Sequence, residues 1–297
     1  MSLLAQLDLP ARSKRPARSK QPELSDQMFG QLRSFIYDKT GIYFQDNKRY
    51  LLESRVGRRL GALKLPGFGA YYNELHKSSM NGELKDLVNA VTINETFFFR
   101  NVPKFDILEK ELIPEIIERR AKEGKRQIRI WSAACSTGDE PYTIALMVKD
   151  RLQPKYPHAR FEIVGTDINT DVLEKARVGI YGEYAVRNVP PPVMRKHFTE
   201  DGAHYRLNPE VCRMVGFHHV NLSDRAAMIR MRGVDIVLCA NVLIYFDNQA
   251  KQRVVSSIYN DLNAGGYLLV GFSETLYGVS QSFQSVRFGK TIAYKKG

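Results

Sequence analysis

The chain has 297 residues, 43% of them hydrophobic and 26% charged, and its 44 Lys and Arg against 32 Asp and Glu leave a formal charge of +12 at pH 7. This composition excludes disorder throughout, and the length fits two domains or one large one. No apolar run reaches the roughly 18–20 residues of a membrane span, and the start lacks a signal peptide's apolar core.

A cytoplasmic location is therefore expected. Cys135, Cys212 and Cys239 are odd in number and widely spaced, which fits neither a disulfide framework nor a C-x-x-C metal site and agrees with a reducing compartment. The excess positive charge points to an acidic partner: nucleic acid, an anionic membrane or an acidic protein surface.

Residues 1–22 carry Arg12, Lys14, Arg15, Arg18 and Lys20 against Asp8 alone, broken by three prolines, and read as a basic, disordered tail. From Ser25 the pattern is helical. Met28, Phe29, Leu32, Phe35 and Ile36 share a face, with Ser25 as cap and Gly41 as stop. A second helix, capped by Asn47, pairs the stripe Leu51, Leu52, Val56, Leu60, Leu63 with six cations opposed only by Glu53. Residues 70–76 and 83–93 read as two shorter helices, so 23–92 is expected to be an all-α N-terminal domain. A linker, 93–103, follows.

Over 104–297 strands and helices alternate. Strands are expected at 128–134, 161–167, 234–240, 266–272 and 291–295, with helices at 141–152, 172–177 and 249–262 between them. This is an α/β fold, an open, largely parallel, Rossmann-like sheet whose ligand lies at the carboxyl ends of the strands. The stretch 181–220, with Asp201-Gly202 as a hairpin turn, reads as an inserted small antiparallel β-subdomain.

The chemistry concentrates at predicted strand ends. In Ile130-Trp-Ser-Ala-Ala-Cys-Ser-Thr-Gly-Asp-Glu-Pro-Tyr142 a buried strand turns through small residues into a helix, a layout that brings backbone N–H groups close to a ligand and makes Gly138 a candidate cofactor contact, although only Gly138 stands where a dinucleotide fingerprint would set three glycines. Glu140 at the helix start repels phosphate and favours a cation such as S-adenosylmethionine (AdoMet), although acidic residues also suit any helix N-terminus. Asp167 ends the second strand, where a carboxylate can accept from ribose hydroxyls or simply cap the next helix. Asn221-Leu222 and Asn241-Val242, with Tyr245, fall on the same edge. The string Asn94-Glu-Thr-Phe-Phe-Phe-Arg100 sits at the domain junction, and its three phenylalanines are expected to wedge between the domains.

Taken together, Asn94 to Arg100, Trp131 to Tyr142, Gly165-Thr-Asp-Ile168 and Asn241-Val-Leu-Ile-Tyr-Phe-Asp247 strongly resemble the chemotaxis-receptor glutamate methyltransferases of the CheR type, over about residues 23–296. The resemblance implies an AdoMet-dependent methyltransferase sheet that carries a β-subdomain behind an all-α domain. It further implies that Asn94, Thr96 and Arg100 line the AdoMet site, that Glu140 and Asp167 hold AdoMet, and that Asn221-Leu222 contacts adenine. Arg100 and Tyr245 would lie next to the transferred methyl. The implied partners are methyl-accepting chemoreceptors, with glutamyl methyl esters as product. The family's usual Arg-Asn-Val and Gly-His-Ser-Glu appear here as Ala240-Asn241-Val242 and Gly271-Phe272-Ser273-Glu274, so roles of the missing Arg and His lapse.

Such a reaction needs no general base, because a glutamate with a pKa near 4.3 is already ionised at pH 7. The histidines show no metal-ligand spacing, and no metal is expected. Arg55, Arg58 and Arg59 of the basic helix are candidate contacts for a glutamate-rich receptor helix. A monomer that acts on the membrane only through its receptors completes the expectation. Two alternatives stand beside it: a nucleic-acid methyltransferase, favoured by the net charge, and a non-catalytic AdoMet-responsive binding module.

Overall fold

A computed structural model of the chain describes residues 22–77 and 81–297; the basic tail expected at 1–22 lies, but for Pro22, outside them. Helix α1 (Asp26–Thr40) begins where the Ser25 side chain accepts the Met28 N–H and ends at Gly41, whose φ of 74° is open to glycine at little cost. Helices α2 (Arg49–Leu63), α3 (Phe68–Leu75) and α4 (Asn81–Val91) complete the N-terminal domain. Asn47 does not cap α2: it lies in a 3₁₀ turn, Asp46–Lys48, and α2 starts without a side-chain cap. Leu32, Ile36, Leu52, Val56, Leu60, Tyr71 and Leu87 bury the apolar stripes against one another.

Helix α5 (Val102–Ile107) runs through a π-helical stretch, Leu108–Leu112, into α6 (Ile113–Lys122). Then β1 (Gln127–Ala133), α7 (Asp139–Met147), a short α8 (Gln153–Lys155), β2 (Arg160–Asp167) and α9 (Thr170–Val178) alternate. The β-subdomain holds β3 (Ile180–Gly182), α10 (Glu183–Val186), α11 (Pro191–His197), β4 (Phe198–Asp201) and β5 (His204–Leu207), its strands antiparallel in the order β3-β5-β4. After α12 (Pro209–Cys212) come β6 (Val215–His219), α13 (Arg225–Met228), β7 (Val234–Cys239), α14 (Asn248–Asp261), β8 (Leu262–Val270), β9 (Phe283–Phe288) and β10 (Thr291–Lys296).

The main sheet has the order β6-β2-β1-β7-β8-β10-β9, with the first five strands parallel and the last two antiparallel. Chain progression reverses beside β1, and the crevice between β1 and β7 is the switch point at which such sheets bind ligands. The α/β class is therefore as expected. The insertion is shorter, however, because Val215–His219 joins the main sheet beside β2. Phe217 explains the placement: its ring fills the space that a side chain on Gly165 or Gly138 would occupy. Strand β9 escaped the sequence reading because Gln284, Ser285 and Arg287 leave it little apolar alternation on an edge.

The three phenylalanines do not wedge between the domains. Phe98 is fully buried edge-on against Tyr181 and Phe198 of the β-subdomain, with centroids 4.8 and 5.2 Å away. Phe99 meets Phe105 and Phe97 meets Tyr184 edge-on, so all three phenylalanines fasten the linker to the sheet domain. The domains meet through polar bonds and through Tyr37 and Ile42, which pack against the sheet-domain core. Asn169 Nδ2 donates to Asn89 O and Thr92 Oγ1, Thr170 N donates to Asn89 Oδ1, and Tyr37 Oη donates to Asp247. Among the described residues no helix is long and apolar enough to cross a membrane.

Candidate active site

The turn after β1 is wound tightly. Ala134, Ser136 and Gly138 have φ of 56°, 51° and 85°, and the two non-glycine residues there hold a conformation that costs of order 1 kcal/mol or more each. Compensation comes from hydrogen bonds. Ser136 N donates to Asp167 Oδ2 at 2.8 Å, and Ser136 Oγ donates to Asn94 O at 2.9 Å, pinning the linker to the turn. Asp167 Oδ1 accepts from Asn169 N at 2.8 Å. Burial pushes the Asp167 carboxyl up, and the N–H groups of Asn169 and Ser136 pull it back. Cys135, in the same turn, is a buried thiol pushed well up by desolvation, which leaves it protonated and a poor nucleophile.

Glu140 opens α7 with both oxygens engaged: Oε1 accepts from Ser132 Oγ at 2.8 Å, and Oε2 pairs with Lys104 Nζ at 2.5 Å. Lys104 is 2% exposed. The sequence reading missed it, although a lysine on the apolar face formed by Phe105, Leu108 and Leu112 is a signal that a buried carboxylate must be near.

A cavity of about 610 Å³ opens at these strand ends. Asn94, Thr96, Arg100, Glu140, Asp167, Asn221, Leu222, Asn241, Val242 and Tyr245 all line it. Gly138 does not. A side chain there would strike Ala176, Phe217 and Tyr142, so its missing Cβ serves helix packing, not the ligand wall. Asn221 reaches the wall but spends its side chain on a domain tie, with Nδ2 donating to Lys39 O at 2.7 Å and Oδ1 accepting from Ser223 N.

Glu274 is a second residue the sequence reading gave no role. Its carboxylate accepts from the N–H groups of Asn241 and Gly271 at 2.7 Å and of Ile244 at 3.2 Å, clasping the loops after β7 and β8. Gly271 is required for this, since a Cβ would stand 2.6 Å from Glu274 Oε2 and 2.8 Å from Asn241 N.

Tyr245 is half-buried, and desolvation raises its phenol while Arg100 and then Arg55 lower it; Glu95 and Glu274 weigh less. Arg100 donates from Nη1 to Glu95 O at 2.7 Å, stands 5.5 Å from the Phe97 ring centroid, and has no acidic partner among the described residues. Tyr43 N donates to Tyr245 O, so the N-terminal domain holds the tyrosine's backbone.

The three candidate substrate arginines divide. Arg59 is withdrawn from that role by geometry: it pairs with Glu83 and Asp86 at 2.6 and 2.7 Å inside the helical domain. Arg55 donates to the carbonyls of Val91 and Thr92 beneath the linker. Only Arg58 is exposed.

The donor set fits AdoMet. The volume suits a ligand of that size, Asp167 offers a carboxylate for ribose hydroxyls, Ile168, Val220 and Leu222 give apolar wall for a base, and Glu140 offers negative charge to an ammonium. Among the described residues no cluster of His, Cys, Asp or Glu could hold a metal ion.

Two family models match in succession: the CheR methyltransferase all-alpha domain over residues 27–92, and the CheR methyltransferase SAM binding domain over 94–292. Chemotaxis protein methyltransferase 2 of Vibrio cholerae is 36% identical over 275 residues, covering 92% of this chain and 94% of that one. The chemotaxis protein methyltransferase of Vibrio parahaemolyticus is 37% identical, covering 92% and 98%, and that of Escherichia coli is 34% identical, covering 88% of each.

Proposed function

Because the chain belongs to the CheR family of AdoMet-dependent chemotaxis methyltransferases, we propose that it methylates glutamate side chains on the cytoplasmic helices of chemoreceptors, forming γ-glutamyl methyl esters. The observation that carries this reading is Arg100, which lines the cavity together with Tyr245 and spends one N–H on the neutral Glu95 carbonyl, with no carboxylate paired to it among the described residues. A guanidinium so placed attracts a carboxylate and repels a protonated amine. No histidine lines the cavity among the described residues, and a carboxylate acceptor, already ionised, asks for none.

AdoMet supplies an electrophilic methyl on a sulfonium. The protein's own part is alignment and desolvation, which contribute several kcal/mol when the reacting atoms are held in line. Glu140 at the start of α7 and Asp167 at the end of β2 bind AdoMet, with Asn94 and Thr96 along the linker and Leu222 and Val242 on the cavity wall. Arg100, spending one N–H on a neutral carbonyl, keeps donors for the incoming carboxylate in a charged hydrogen bond. Tyr245, its phenol kept neutral, orients the reacting groups as a hydrogen-bond donor. Exposed Arg58 meets the acidic flank of the receptor helix.

The test is transfer of labelled methyl to receptor-bearing membranes, followed by mild alkali. Esters release methanol, and label lost on alkali treatment, with loss of transfer in Arg100→Ala, is expected. Alkali-stable label on RNA or amines, or no transfer to any acceptor, refutes the reading.

A further inference from the structure

The loop between β8 and β9 is anchored inward at two points and bare outward at two others. Glu274 receives the N–H groups of Asn241 and Ile244, which clasp it to the loop after β7, and that of Gly271 in its own loop; Leu276 is 1% exposed, with its N–H donating to Tyr294 Oη at 3.1 Å. On either side of these anchors Phe272 is 89% exposed and Tyr277 92%. Phe272 lines the mouth of the AdoMet cavity, as do Ile93 from the linker, 43% exposed, and Ile244 from the loop after β7, 52% exposed. Phe272 and Ile244 stand at the Tyr245 end of the cavity: Ile244 precedes Tyr245, and its N–H donates to Glu274, two residues from Phe272, at 3.2 Å. An apolar rim in water on a loop fixed at both anchors is surface waiting for cover.

We propose that Phe272, Ile244 and Ile93 form an apolar collar that grips the receptor helix. It accepts apolar side chains one helical turn on either side of the acceptor glutamate, and so selects which glutamates are methylated. The inference rests on the function proposed above. The occupant follows from position, because any acceptor carboxylate reaching Tyr245 and Arg100 must bring its neighbours across this rim. On a helix, residues three and four positions away lie on the same face as the glutamate, about 5–6 Å off, and they are the ones that meet the rim. Charge complementarity to Arg58 then serves encounter, while the collar serves register.

The experiment compares the intact enzyme with Phe272→Ser, Phe272→Leu and, as an exposed apolar control on α9, Val178→Ser. The substrates are a chemoreceptor cytoplasmic fragment and the same fragment with the residues one turn from the acceptor glutamate changed to Ser. Phe272→Ser is expected to raise KM for the native fragment about tenfold, the scale of losing partial burial of one aromatic ring. Its kcat and its calorimetric Kd for AdoMet should stay within about twofold, since the change removes only ground-state contact with the acceptor. Phe272→Leu restores most of the affinity, Val178→Ser changes nothing, and the serine-substituted fragment shows a raised KM with the intact enzyme that Phe272→Ser does not raise further. An unchanged KM in Phe272→Ser, or an AdoMet Kd that weakens in step with KM, overturns the collar alone. Absence of alkali-labile methyl on the native fragment with the intact enzyme overturns the function and the collar together.

Discussion

Replacing Lys104 by Met tests whether the charge balance at the cofactor turn is built as the structure implies. The lysine is 2% exposed, and its Nζ meets Glu140 Oε2 at 2.5 Å, so Met keeps the volume and deletes the cation. Removing one partner of a buried pair costs about 3–5 kcal/mol, because the other charge is left without compensation. The lower end applies here, since the Glu140 side chain is 18% exposed toward the cavity and keeps the Ser132 hydroxyl. For a chain of this size about 3 kcal/mol corresponds to a melting point lower by roughly 6–12 °C. AdoMet should rescue the variant more than the intact protein. With Lys104 gone, the ammonium of AdoMet no longer shares Glu140 with a resident cation, and ligand binding adds stability as its affinity rises. Thermal melts with and without AdoMet, paired with calorimetric Kd values, read both effects. A melting point within about 2 °C of the parent would refute the stability assigned to the buried Lys104–Glu140 pair, and weaker AdoMet binding in Lys104→Met would falsify the pairing of Glu140 with a ligand cation.

Asp139 gives a pH test. Fully buried, with one oxygen held by Thr137 at 2.6 Å and the other unpartnered, its carboxyl is pushed by desolvation from 3.8 to about 6. A carboxyl raised in the folded state holds its proton longer there than in the unfolded chain, so stability falls as pH rises from about 4 through about 6. Asp139→Asn should therefore stabilise by up to about 3 kcal/mol at pH 8, at about 1.4 kcal/mol per pKa unit, and the gain should vanish near pH 4. A gain independent of pH in chemical denaturation would refute this. The two helix-face arginines should part company as well. Arg59→Ala strands Glu83, 5% exposed, and should cost about 2–4 kcal/mol of stability. Arg58→Glu should leave the melt unchanged and raise receptor KM several-fold at low salt, an effect that fades as salt screens it. Equal behaviour of the two variants in melts and kinetics would contradict the division.

Periodicity made most of the fold legible. Ser25 and Gly41 bracket α1 because capping and left-handed termination are local chemistry, and β1, β2 and β7 stand out as buried apolar runs between helices. What failed was whatever depended on a distant partner. Val215–His219 alternates like any antiparallel strand, and only the space left by Gly165 and Gly138, filled by Phe217, draws it into the parallel sheet. Gly138 looked like ligand wall because a glycine in a strand-to-helix turn serves either close ligand approach or close packing, and spacing alone does not separate the two. Arg59 looked free because Glu83 and Asp86 lie on another helix. Among site residues, those in contiguous motifs were readable, whereas Lys104 and Glu274 act through partners 36 and 33 residues away.

The polar domain junction explains why the helical domain belongs to the catalytic unit. Its cavity wall is shared: Ile42, Tyr43 and Lys48 come from the N-terminal domain, while Ala134, Asp167 and Tyr245 come from the sheet. A backbone bridge pairs Ile42 with Phe246, next to Tyr245, and Asn221 and Ser223 bond the carbonyls of Lys39 and Thr40 at the end of α1. Separating the domains would therefore strip one wall from the cavity and free the backbone on both sides of the proposed reaction centre. Hydrogen bonds of this kind are directional and contribute about 1 kcal/mol each, so that together with the packing of Tyr37 and Ile42 on the sheet-domain core they fix a mutual orientation. Arg55 illustrates the result: a side chain on α2 bonds the carbonyls that end α4, and its charge bears on the phenol of Tyr245 in the turn after β7, beside the proposed reaction centre.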